Sequence, residues 1–125
     1  LHAGHFWLII GFALLAAANF SDDISRDAGI HALTSGAMGT MIIAMLTRVA
    51  LGHSGRVIKA STPIIVAYYM IIAGSVMRVL AALFQLHLPA EGYAILIGSA
   101  GLIWAGGFAV FVIVFWPILT RPRAD

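Results

Sequence analysis

The chain has 125 residues, 62% hydrophobic and 10% charged, with a net charge of +2 and no Cys. A soluble domain carries about 45–50% apolar and ~25% charged residues, so this balance is that of a protein solvated by lipid. Disulfides and thiolate metal sites are excluded, and so small and dispersed a charge offers no surface for nucleic acid.

About 20 apolar residues cross a ~30 Å bilayer core, and four segments qualify as spans. The first, 3–20, contains no Asp, Glu, Lys or Arg. The second, about 28–50, is uncharged between Asp27 and Arg48. The third, about 62–86, is interrupted only by Arg78, and Pro63 suits its first turn. The fourth, about 90–116, has no charge after Glu91; Pro89 suits its first turn and Pro117 is expected to stop it. No alternating pattern persists, which argues against a β-barrel.

The loops sort by charge. Segment 21–27 (SDDISRD) is net negative and 87–91 (HLPAE) carries Glu91, whereas 53–59 (HSGRVIK) and 121–125 (RPRAD) are basic. The positive-inside rule then places both termini in the cytoplasm. Trp7 and Trp116 fall near the cytoplasmic ends and Tyr93 near the outer end, where interfacial aromatics are expected. The expected fold is all-α: a polytopic membrane protein, one four-transmembrane-helix bundle with short loops over residues 1–125.

Span two has a face almost without bulk. Ala28, Ala32, Gly36, Thr40 and Ala44 recur every four residues, and His31, Ser35 and Gly39 form a second row. Such a face serves close helix packing, or it forms a groove for a flat cofactor with His31 as ligand. Span four, with Gly98, Gly101, Gly106 and Gly107, is its expected partner. Met38, Met41, Met45, Met70 and Met77 read as filler, although a thioether can ligate copper(I) or haem iron.

Depth separates the histidines. His31 and His53 stand ~33 Å apart along a helix and cannot share a metal. His31 and His87 belong to the outer level, His2, His5 and His53 to the inner one. His31 is the best candidate metal ligand; its alternative is a hydrogen bond to a neighbouring backbone or hydroxyl group. His2 and His5 share a helix face, and His87 reads as a loop residue. The Gly52-His53-Ser54-Gly55-Arg56 stretch reads as a tight turn whose donors can face solvent or hold an anionic group.

Arg78 is the one charge well inside a span, roughly nine residues and ~14 Å from the outer end. No span supplies a carboxylate for it. It can snorkel toward Asp23, Asp27 or Glu91, or pair with an anion such as a haem propionate. Arg48 reads as a positive-inside anchor.

The stretch HALTSGAMGTMIIAMLTRVALGHSGR, a third span bearing an Arg, and the C-terminal PILTRPR resemble the carboxy-terminal part of the NnrS family. These are multi-pass bacterial inner-membrane proteins that contain haem and copper and are linked to denitrification and the nitric oxide response. Members are usually longer, with more spans than the four here. The resemblance matches His31, Arg48, His53, Arg56 and Arg78 to recurrent polar positions. It implies a haem- or copper-binding membrane protein, with His31, Arg78, His53 and Arg56 as candidate cofactor-binding residues and His31 as the metal ligand.

A second reading is a non-catalytic accessory subunit, whose partners besides the bilayer would be other membrane subunits or further copies of itself. No base–nucleophile arrangement points to an enzyme, and no acidic relay or broken helix points to a transporter.

Overall fold

The computed structural model describes residues 2–124, all helix, turn and loop. Four helices follow in order: α1 (His2–Ala17), α2 (Arg26–His53), α3 (Thr62–Leu83) and α4 (Ala90–Leu119). No strand occurs among the described residues. Three of these helices, α2, α3 and α4, are long and apolar enough to cross a membrane.

The expected first span ends early. At 16 residues, α1 reaches about 24 Å, short of a typical bilayer core. The polar run that begins at Asn19 explains the stop. The Asn19 Nδ2 donates to the Leu15 carbonyl at 2.9 Å, and its Oδ1 accepts from Arg26 Nη1 at 3.3 Å. The side chain thus closes α1 on one side and holds the start of α2 on the other.

The other boundaries follow local chemistry. Ser25 caps α2, its Oγ accepting from the Asp27 N–H at 3.2 Å, with Asp27 in the first turn where the helix dipole favours it. A glycine at φ +72° ends α2. Around this Gly55, the Arg56 N–H donates to the Leu51 carbonyl and the Gly55 N–H to that of Gly52, a Schellman closure that needs a residue in the left-handed region. Pro63 sits in the first turn of α3 as expected, while Pro89 caps α4 from outside. Pro117 does not stop α4, which runs on to Leu119. It lies in the last turn, where little helix remains beyond it to be disrupted, and the Thr120 N–H and Oγ1 both donate to the Trp116 carbonyl.

Two apolar clusters hold the bundle. Ile43, Ala50, Leu51, Ile64, Ala67, Ile71, Phe111 and Phe115 join α2, α3 and α4 toward the basic loops. Trp7, Ala28, Ala32, Ala37, Val79 and Ala82 join α1, α2 and α3 toward the acidic one. Much apolar bulk points outward, including Phe6, Ile9, Phe12, Leu102, Ile113 and Trp116, which suits a lipid surround rather than water.

The helix pairing differs from the sequence expectation. The close partner of α4 is α3: a Cβ on Gly74 would lie 2.8 Å from the Ala100 carbonyl, and one on Gly107 2.9 Å from that of Ala67. The small face of α2 turns instead to α1. Trp7 is buried against Gly36, where a Cβ would come within 2.5 Å of the indole. Trp7 is therefore a core residue rather than an interfacial one, because glycine leaves a flat seat for its ring. Trp116 remains exposed.

Candidate functional site

Helix α2 is continuous but not uniform. Between α-helical Arg26–His31 and Gly39–His53, residues Ala32–Met38 wind as a π-helix. A π stretch accommodates an extra residue, shifts the faces of the helix relative to one another, and leaves carbonyls poorly matched to N–H donors; such stretches recur at functional sites. Here the Gly39 N–H bonds the carbonyls of Thr34 and Gly36. The carbonyl between them, that of Ser35, accepts the indole N–H of Trp104 at 3.1 Å. Trp104 also covers Gly39, where a Cβ would lie 2.9 Å from its Nε1.

Beside this bond lies a cavity of about 340 Å³ between α2, α3 and α4. His31, Thr34 and Ser35 line it from α2, Gly74 and Arg78 from α3, and Ala100, Gly101 and Trp104 from α4. The two candidate residues singled out on separate spans, His31 and Arg78, thus face one space. The rows of small residues on α2 divide their work: Ala28, Ala32, Gly36 and Thr40 are buried in helix contacts, while His31 and Ser35 open onto the cavity.

Most polar groups around the cavity are satisfied locally. The Ser35 hydroxyl donates to the His31 carbonyl at 2.6 Å and the Thr34 hydroxyl to that of Ile30 at 2.8 Å. The indole N–H of Trp104 is committed to Ser35. What remains is the imidazole of His31 and the guanidinium of Arg78. Neither side chain is hydrogen-bonded or ion-paired among the described residues. Arg78 is shallower than the sequence suggested. Helix α3 ends at Leu83, and a 3-10 turn over Gln85–His87 follows, so Arg78 lies about 7.5 Å from the helix end by rise.

The other candidates lie elsewhere. His53 lines a second cavity with Arg48 and Arg123, at the far end of α2. Arg56 follows Gly55 in the turn beyond it, and its Nη1 is buried without a partner among the described residues. His2 lines a third cavity with Arg48 and Tyr68, and His87 is exposed in the 3-10 turn. The structure therefore brings together His31 and Arg78, and keeps His53 and Arg56 apart from them.

This donor set fits one kind of cofactor and not another. No three His, Cys, Asp or Glu residues gather to hold a metal ion among the described residues, so the cavity does not supply a copper site built from protein ligands. A neutral imidazole would suit haem iron, and a cation would suit its carboxylates. His31 and Arg78 would offer both, beside the ring of Trp104 and the small Gly74, Ala100 and Gly101 that line the same cavity. The volume lies at the low end for small-molecule sites, which run to ~300–1,000 Å³.

Sequence reasoning passed over Trp104, Gly74 and the π stretch. A usable signal existed for the first: an indole N–H in an apolar span must find an acceptor, and here the Ser35 carbonyl in the π stretch serves.

No curated protein and no solved structure matches the chain. The model of the family described as NnrS protein matches residues 1–123, essentially the whole sequence, and the chain belongs to the NnrS family.

Proposed function

We propose that this is an NnrS-type multi-pass protein of the bacterial cytoplasmic membrane that binds haem between α2, α3 and α4 and acts in the response to nitric oxide. The observation that carries the reading is the meeting of His31 and Arg78 in one cavity, each without a protein partner. Bound haem would supply an iron centre able to take up a diatomic ligand. The chain's own residues supply the rest. The His31 imidazole would hold the haem iron, and the Arg78 guanidinium would neutralise a haem carboxylate in surroundings of low polarity, where an unpaired charge is costly. Trp104 bounds one side, and its bond to Ser35 fixes the π stretch that aims His31. Loop charges support a topology with both termini cytoplasmic.

The test is the optical spectrum of protein purified from its native membrane. A Soret band is expected, lost or shifted in His31→Ala and weakened in Arg78→Gln. A colourless preparation that acquires no band on adding haem would overturn the reading.

One observation favours a second reading, that of an accessory subunit. A Cβ on Gly98 would meet nothing within 4 Å, and Ile95 and Leu102 on the same helix face are exposed. This outward small-residue face of α4 suits a further helix. Partners would then be other membrane subunits or further copies of the chain. Native isolation that yields a stable monomer removes this reading.

A further inference from the structure

The basic end of α2 carries a separate site. Met45, Arg48, Val49, Gly52 and His53 stand at spacings of three, four, seven and eight residues, and so on one helix face. They line a cavity of about 440 Å³ whose remaining wall is Arg123, from the segment after α4. That segment is fixed in place: the Ala124 N–H donates to the Ser54 carbonyl at 3.0 Å, across the turn made possible by Gly55. Two guanidiniums and an imidazole are thereby collected around one space whose lining contains no carboxylate. Asp125 lies outside the described residues. The other acidic residues, Asp22, Asp23, Asp27 and Glu91, lie in the loop before α2 and in the first turns of α2 and α4, at the opposite end of the helices.

The lining changes character along the helix. His53 and Arg123 stand near the helix end, Arg48 and Val49 side by side about one turn further in and Met45 about two, with Met45 and Val49 48% and 46% exposed. We infer that this cavity binds the headgroup of an anionic phospholipid, its phosphate held by Arg48 and Arg123 beside His53, with an acyl chain running along Met45 and Val49. A free phosphate would use the cations and leave the apolar wall bare. A zwitterionic lipid would bring its own ammonium group into a cluster of positive charge. A basic pocket at the edge of a helical bundle is a setting in which anionic headgroups bind. The site shares no residue with the His31 and Arg78 cavity and does not depend on haem.

The full chain, reconstituted in mixed phosphatidylglycerol and phosphatidylcholine bilayers, tests this by the lipids it retains in native mass spectrometry. Phosphatidylglycerol should be retained in preference, and Arg48→Gln and Arg123→Gln should each reduce that preference about fivefold. Arg48→Lys and Arg123→Lys should preserve most of it, which separates charge from folding. If the Gln variants fail to fold, the salt dependence of the unaltered protein decides. The preference should fall as ionic strength rises, and a salt-independent preference overturns the site. Equal retention of the two lipids, or a preference unmoved by folded Gln variants, also overturns it. Inorganic phosphate binding that lipid does not displace would assign the site to a free anion and overturn the phospholipid assignment.

Discussion

The indole N–H of Trp104 donates to the main-chain carbonyl of Ser35 at 3.1 Å, tying α4 to the irregular part of α2. The carbonyl is available because the π stretch directs the Gly39 N–H to its neighbours. Trp104→Phe keeps the ring and removes the donor. It should lower stability in detergent by about 1 kcal/mol, the usual net value of such a bond, read from thermal unfolding. An unchanged midpoint would show that the bond does not hold the two helices together.

The π stretch also sets where His31 points. Deleting Thr34, an exposed residue within it, should restore a regular α-helix and rotate the segment before it by about 100°. His31 would then leave the cavity. Helix content by circular dichroism should persist while haem binding is lost, whereas Thr34→Ala, which removes only a locally satisfied hydroxyl, should retain haem. Haem binding that survives the deletion would detach His31 from the cofactor.

These two cases show what the sequence does and does not disclose. Helix number and order were legible because apolar runs are bounded by Ser25, Gly55, Pro63 and Pro89, each with a local physical effect. His31 and Arg78 stood out because polar groups in apolar spans are expensive. Their convergence was not legible, since it depends on α4 pairing with α3 through Gly74 and Gly107. Neither glycine advertises its partner. The register shift at Ala32–Met38 is marked only by the Ser35-Gly36 pair, and the end of α1 at Ala17 turns on how one side chain, Asn19, folds back onto its own helix.

Glycines in this chain should divide sharply by neighbour. At Gly36 a new Cβ would lie 2.5–2.8 Å from three carbons of the Trp7 indole. The ring is buried in the cluster with Ala28, Ala32, Ala37, Val79 and Ala82 and cannot simply swing aside. Gly36→Ala should therefore cost about 1–3 kcal/mol through overpacking. Gly98→Ala, with nothing within 4 Å, should be neutral or slightly stabilising through better helix propensity. Thermal midpoints of the two variants side by side check the contrast; equal effects would refute the α1–α2 packing described.

Thr40 carries the one buried hydroxyl of α2 without a hydrogen-bond partner among the described residues. In contrast, Thr47 and Ser75 bond the carbonyls four residues back at 2.8 Å. Replacing an unpaired buried hydroxyl by a methyl of similar shape removes a desolvation cost without losing a bond. Thr40→Val should leave stability unchanged or raise it by up to about 1 kcal/mol, and Thr47→Val should lower it. A clear loss at Thr40→Val would indicate that its hydroxyl has an acceptor in the membrane.

The absence of Cys makes membrane sidedness directly measurable with single substitutions. Ser61→Cys and Thr120→Cys flank the basic segments, and Asp22→Cys lies in the acidic loop. With three full crossings by α2, α3 and α4, the first two positions should react with a membrane-impermeant maleimide from one side and Asp22→Cys from the other. Cell labelling should place Ser61→Cys and Thr120→Cys in the cytoplasm, following the Arg and Lys residues. Adding His2→Cys resolves the role of the short α1. Labelling from the same side as Ser61→Cys means that its 16 residues cross, by local thinning of the bilayer. Labelling from the same side as Asp22→Cys means that α1 turns back within one leaflet. Either outcome for α1 leaves the His31 cavity between the three long helices intact. Opposite labelling of Ser61→Cys and Thr120→Cys would not, because α3 and α4 would then no longer form the hairpin that brings Arg78 to His31.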